Sequence, residues 1–231
     1  MLIIIEERED NMNSQVLKLE SYIEHTLLKP DAKLDDIKKL IDEAASYKFC
    51  GICINPLYIS FAREYIEDNP LKVVTVIGFP LGATISSVKT YEAQKALEDG
   101  ADELDMVIDI GAIKDKKYTR AETDITNIVD MADGKVVKVI LETDLLSRDE
   151  IIEACKVSIN AGASFVKTST GFVKGGIGAT EQNVKLMYEI VNPHGIHVKA
   201  SGGIRDKETA IKMIKAGATR IGTSSGVKIV K

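Results

Sequence analysis

NAGASFVKTSTG, residues 160–171, closes a helical stretch, turns at Gly162 and enters a short apolar run with a lysine at its centre. The construction occurs twice more, in EDGADELD at 98–105 and KAGATRIG at 215–222, each with a helix end, a Gly-Ala step and a strand-like run. A glycine behind a helix admits the left-handed backbone that closes the last turn, so Gly100, Gly162 and Gly217 read as caps. Five residues beyond each stand Asp105, Lys167 and Gly222. If the three turns are built alike, these residues share one height and one orientation on alternate strands, which is the layering inside a closed barrel. An aspartate and a lysine then face each other across the interior, and a glycine leaves them room.

The rest of the chain fits that frame. From residue 22 onward short β-branched runs alternate with segments of helical period, the pattern of βα units on a parallel sheet. The runs lie at 22–28, 49–55, 72–79, 103–109, 136–143, 165–169, 197–201 and 220–225. Helical stretches between them include LDDIKKLIDEAASY, SSVKTYEAQKALED, RDEIIEACKVSINA and DKETAIKMIKA. Eight units in so short a chain predict a single α/β domain, a compact (β/α)8 TIM barrel over residues 22–231, with residues 1–21 as an N-terminal extension and first helix. A doubly wound open sheet is the structural alternative, but no GxGxxG follows the first strand. MLIII at the N-terminus runs straight into EERED, unlike a signal peptide, and Met12 would also serve as a start.

Composition narrows the function classes. Hydrophobic residues make up 45% and charged residues 28%, with no apolar run long enough to span a bilayer, so no membrane partner is expected. The formal charge is −5 and no stretch interleaves basic with aromatic residues, which argues against nucleic acid. Cys50, Cys53 and Cys155 make no even-numbered disulfide framework, so a reduced, cytoplasmic protein is expected. His25, His194 and His197 lack metal-ligand spacing, and no metal is expected. Cys53 reads as a packed thiol, and Glu24 and Asp109 as members of a hydrogen-bond network or strand-end groups.

Two lysines at strand centres, Lys167 and Lys199 in HVKASGG (197–203), are the unusual feature. A buried ammonium is unfavourable unless paired, and its usual response is a lowered pKa. A lysine that is neutral near pH 7 attacks carbonyls and forms Schiff bases, and a nearby cation favours that state. Lys167 as nucleophile, Lys199 as perturbing cation and Asp105 as proton shuttle form one constellation; a self-neutralising Lys–Asp pair is the bland alternative. Lys138, four residues after Gly134 as Lys199 is after Gly195, lies nearer the start of its strand and is read as structural. SGGIRD (201–206) and GTSSGV (222–227) follow the last two strands, where barrels of this kind hold phosphate on backbone N–H groups. The loop STGFVKGGIGAT (169–180) is also Gly-rich and placed to close over a substrate.

With these residues in view, the chain resembles the deoxyribose-phosphate aldolases, a family of class I, Schiff-base-forming lyases. The resemblance runs from Tyr22 to Val230 on IEHTLLKPDA, VVTVIGFPLGA, ADELDMVIDIGA, VKVILET, FVKTSTGF, VKASGGIR and GATRIGTSSG. It implies reversible cleavage of 2-deoxy-D-ribose 5-phosphate to D-glyceraldehyde 3-phosphate and acetaldehyde, in deoxyribose phosphate catabolism, without metal or organic cofactor. It places the Schiff base on Lys167, its perturbing partner on Lys199 and the proton relay on Asp105. Phosphate and substrate contacts are expected from Gly202, Gly203, Ser224 and Ser225, with Thr168 and Gly171 at the loop after the sixth strand. In this reading the imine at C1 draws electrons from a C3–C4 bond once the C3 hydroxyl loses its proton. Many relatives have Asp where Glu24 stands, and some carry a tyrosine-bearing tail beyond the last strand; with Lys231 the last residue, no such tail is expected to contribute. A homodimer or homotetramer is expected. Another Schiff-base aldolase or transaldolase, a phosphosugar isomerase and a non-catalytic phosphosugar-binding barrel are the competing readings.

Overall fold

The computed structural model of the chain describes residues 18–67 and 69–231. The expected extension at residues 1–17 lies outside them; of the remainder, Leu19–Tyr22 forms a 3-10 turn that buries Leu19. Eight parallel strands close in sequence order into a barrel, β1 pairing with β8. They are β1 (Ile23–Leu27), β2 (Gly51–Ile54), β3 (Lys72–Ile77), β4 (Glu103–Val107), β5 (Val136–Ile140), β6 (Phe165–Lys167), β7 (His197–Ser201) and β8 (Ala218–Thr223). Seven of the expected runs contain their strand whole; β8 begins at Ala218, two residues before the run at 220–225. β6 is shorter than its run because the chain leaves the ladder after Lys167, where Thr168 starts the loop.

The outer layer consists of α1 (Leu34–Ser46), α2 (Ile59–Ile66), α3 (Ser86–Glu98), α4 (Ile110–Lys114), α5 (Tyr118–Ala132), α6 (Arg148–Asn160), α7 (Glu181–Val191), α8 (Lys207–Lys215) and α9 (Gly226–Val230). Some of their starts carry side-chain acceptors for free backbone donors: Ser147 with Glu150 forms a capping box on α6, and Thr180 and Asp206 cap α7 and α8. The apolar stripe of α1, Ile37, Leu40, Ile41 and Ala44, is buried against the strands. The main core therefore lies between strands and helices. A second, smaller cluster of Leu28, Cys53, Val74 and Val76, with Phe79 against it, occupies the inner wall on the β2–β3 side.

Gly100, Gly162 and Gly217 have φ of 103°, 77° and 112°, the left-handed closure expected of them. At Gly217 the chain also has no space: a Cβ there would lie 2.3 Å from Tyr188 Cγ. At Gly195, φ 74°, nothing lies within 4 Å. Gly195→Ala should therefore destabilise by about 1–2 kcal/mol, the left-handed backbone term alone. Gly217→Ala should lose a further 1–3 kcal/mol or so to overpacking. Urea denaturation of the two variants checks the order, and equal losses would contradict it.

Candidate active site

Strand alternation sets which side chains enter the barrel. Asp105 on β4 pairs in register with Lys138 on β5, and Lys167 on β6 with Lys199 on β7, so the sheet itself brings an acid and three lysines to neighbouring heights. All four are buried, and Lys167 is the one of them with measurable exposure, at 3%. Asp105 meets all three cations. Its Oδ1 accepts from Lys138 Nζ at 2.9 Å, and its Oδ2 from Lys167 Nζ at 2.8 Å and Lys199 Nζ at 2.7 Å. Glu24 on β1 pairs with Lys199 and lies 3.5 Å from Lys138.

Below this layer Glu103, two residues before Asp105 on the same strand face, takes Lys138 at 2.7 Å and Lys72 at 2.6 Å. Arg220 lies 3.4 Å from Glu24 and, like Lys138, against the ring of Phe165. Among the described residues four interior cations, Lys138, Lys167, Lys199 and Arg220, thus meet the three interior carboxylates Glu24, Glu103 and Asp105. Of the four, Lys167 alone lines the open cavity.

The electrostatics follow from this geometry. Burial alone would raise the Asp105 pKa, but the cations Lys138, Lys167 and Lys199 override it and hold the carboxyl well below the usual range. Burial opposes the charge on Lys199, yet Asp105 and Glu24 outweigh it and push its pKa well above the usual lysine value. Lys138 is raised for the same reason. Lys199 is thus a fixed cation separated from Lys167 by a shared carboxylate oxygen. The sequence groups these three residues and sets Asp105 facing Lys167; that one oxygen of Asp105 stands between both lysines is seen only in the fold. Gly222 is the space-maker: a Cβ there would lie 3.0 Å from Lys199 Cε.

The cavity above Lys167 measures about 240 Å³ and opens at the C-terminal ends of the strands. Gly171, Gly202, Gly203 and Ser224 line it, as do Thr26, Lys29, Phe172 and Arg205. Thr168 does not: its hydroxyl donates to the Ser201 carbonyl and accepts the Ser201 N–H, both at 2.9 Å, clasping β6 to β7. Ser225 also stands off the wall, its N–H bound to Thr223 Oγ1 at 2.9 Å as α9 begins. Phe172 meets Phe79 edge to face, with centroids 5.1 Å apart, so the loops after β3 and β6 touch over the mouth.

Residues read as incidental keep that character, with one exception. His25 is buried and hydrogen-bonded to Glu43 at 2.8 Å, Asp109 caps α4, and burial pushes the Cys155 thiol up to about 12 and Cys50 to about 11. Cys53 lies on the apolar inner wall, its thiol also raised by burial. The exception is Lys138, which belongs to the charged network through Asp105 rather than standing apart from it. Glu103 and Arg220 were legible by alternation, each two residues from a residue already placed inward, but were not singled out. Among the described residues no three or more His, Cys, Asp or Glu side chains are grouped to hold a metal ion, and no helix is long and apolar enough to cross a membrane.

The family model described as DeoC/LacD family aldolase matches residues 18–231. A deoxyribose-phosphate aldolase of Caldicellulosiruptor saccharolyticus is 53% identical over 216 residues, covering 92% of this chain and 97% of its own. One from Thermococcus gammatolerans is 54% identical over 219 residues, covering 93% and 96%. The solved structure described as a unique tetrameric deoxyribose phosphate aldolase from Aeropyrum pernix superposes with a TM-score of 0.88 at 37% identity, covering 96% of this chain and 94% of that one.

Asp105→Asn would leave Lys138, Lys167 and Lys199 around a neutral amide, and the expected loss of stability at pH 7 is about 3–5 kcal/mol. The folded-state pKa of Asp105 lies below its unfolded one, so its contribution is complete above the ordinary carboxylate range and is lost as pH falls through the folded value. Urea midpoints measured from neutral pH into acid should show this loss in the parent protein and a shallower one in the variant. Parallel curves would assign the stabilisation elsewhere.

Proposed function

The chain belongs to the DeoC/LacD aldolase family, and from that membership we propose that it reversibly cleaves 2-deoxy-D-ribose 5-phosphate into D-glyceraldehyde 3-phosphate and acetaldehyde through a Schiff base on Lys167. The observation that carries the assignment is that Lys167, among the four interior cations, is the one that reaches the cavity, with Asp105 2.8 Å behind its Nζ.

Lys167, once it has given up a proton, adds to the C1 aldehyde of the open-chain sugar and loses water to give a protonated imine. The products fix the bond that breaks. Acetaldehyde retains C1 and C2, so the cleaved bond is C2–C3; a break at C3–C4, where the sequence reading put it, would leave three carbons on the lysine. Removal of the C3 hydroxyl proton sends the C2–C3 electron pair into the imine, D-glyceraldehyde 3-phosphate departs, and the enamine left on Lys167 takes a proton at C2. Hydrolysis then frees acetaldehyde and the lysine. Asp105, in direct contact with both ammonium groups, and Lys199, held charged, reach the substrate through water: between them they take up the C3 hydroxyl proton and return one to C2 of the enamine. The N–H groups of Gly202, Gly203 and Ser224, with Arg205 and Lys29 on the rim, hold the phosphate, whose binding places C1 over Lys167. As the Aeropyrum structure is described as tetrameric, a homo-oligomer is part of the same reading.

Borohydride reduction with acetaldehyde should attach an ethyl group to Lys167 and to no other lysine, seen by peptide mass mapping, and Lys167→Ala should abolish it. Labelling spread over surface lysines would remove the Schiff-base assignment. Replacing Lys199 by Leu leaves Asp105 facing one cation fewer, so it retains the Lys167 proton more firmly. The acid limb of the pH–rate profile should then move to higher pH while kcat falls by about 10²-fold. An unmoved limb would deny Lys199 its influence on the nucleophile.

A further inference from the structure

The segment VKVILET, 137–143, carries part of the resemblance, yet beyond Lys138 the reaction as described makes no use of it. Its penultimate residue, Glu142, lies in the left-handed backbone region, φ 60° and ψ 64°, which a residue with a Cβ adopts only under constraint. The 3-10 turn Thr143–Leu145 follows. Both acids of this short stretch are directed at the loop after β6. Glu142, buried, accepts the Thr170 N–H at 3.2 Å on Oε2 and 3.3 Å on Oε1, and also the Thr170 hydroxyl. Asp144 accepts the Ile177 N–H on Oδ1 and the Gly178 N–H on Oδ2, each at 2.9 Å. One carboxylate thus holds the loop beside Lys167, and the other holds its far end.

The far end abuts the first phosphate loop, backbone to backbone. Ala179 N–H donates to the Gly202 carbonyl at 3.0 Å. A Cβ on Gly178 would stand 2.5 Å from the carbonyl carbon of Gly202, and one on Gly203 would stand 2.6 Å from the Ile177 carbonyl oxygen. Gly178, Gly202 and Gly203 all have positive φ, 81°, 83° and 77°. Two strips of glycine backbone in such contact cannot shift independently. Asp144 itself does not line the cavity.

We propose that Asp144 is a positioning residue for the phosphate end of the substrate: by pinning the Ile177 and Gly178 amides it fixes the backbone against which Gly202 and Gly203 are seated, and so sets the shape of the anion cradle. Glu142 does the corresponding work for Thr170 beside Lys167. The inference rests on the reading of Gly202 and Gly203 as phosphate ligands.

The test compares kcat and KM for 2-deoxyribose 5-phosphate and unphosphorylated 2-deoxyribose in the parent protein, Asp144→Ala, the isosteric Asp144→Asn and, independently, Gly178→Ala. The parent protein is measured first; if it cleaves neither sugar, the functional reading itself falls, apart from anything Asp144 does. Given an active parent, the ratio of kcat/KM for the phosphorylated over the unphosphorylated sugar should drop about tenfold in Asp144→Ala and Gly178→Ala, chiefly through KM for the phosphate ester. Asp144→Asn, which keeps one carboxamide oxygen as acceptor, should fall between and serves if the alanine variant does not fold. Loss on both sugars in equal proportion would reduce Asp144 to a stability residue, and an unchanged ratio in Asp144→Asn and Gly178→Ala would overturn the proposal.

Discussion

One carboxylate organises the interior. Asp105 is fully buried and touches three lysine ammonium groups, so each strand from β4 to β7 is fixed to its neighbours by charge as well as by backbone hydrogen bonds. A buried cation without such a partner would either discharge or expel its segment. Glu24 and Glu103 extend the arrangement to β1 and to the lower mouth, where Lys72 and Arg220 meet water. The barrel is thereby divided lengthwise, with Cys53, Val74 and Val76 making an apolar wall and the lysines a charged one. Lys167 sits where the charged half reaches the cavity, so the constraint that stabilises the fold also aims the proposed nucleophile.

How much of this the sequence disclosed depends on which physical signal each feature leaves. Strand and helix positions were legible because parallel strands buried on both faces read as short β-branched runs, and the Gly-Ala caps gave a register independent of hydropathy. That register brought Asp105 and Lys167 together before any coordinates did. The same counting reaches Lys138, whose nearness to the strand start marks it as structural; in a barrel of staggered strands that nearness says little, because Lys138 pairs with Asp105, midway along β4. Glu103 and Arg220 are legible to the two-residue alternation, but no glycine count leads to either.

Loop contacts were the least legible. Thr168 lies one residue after Lys167, and the resemblance implies a place for it in the substrate pocket. Strand alternation turns its side chain the other way, onto Ser201. The bonds from Glu142 to Thr170 and from Asp144 to Ile177 and Gly178 join segments far apart in the chain and end on backbone amides, which no side-chain pattern records. Only the folded arrangement of two neighbouring loops displays them.

Gly222 has a bearing on how this sequence can change over evolutionary time. The stem of Lys199 occupies the volume that any side chain at position 222 would need, with Lys199 Cε 3.0 Å and Ser201 Cβ 3.1 Å from the place of a Cβ. The two positions are therefore mutationally coupled. Even an alanine at 222 requires Lys199 Cε and Ser201 Cβ to give by a few tenths of an ångström, so a bulkier residue there favours a shorter one at 199, and restoring the lysine afterwards favours the glycine again. Such a pair acts as a ratchet, in which loss of the lysine is readily made lasting by drift at a neighbouring position on the cavity wall.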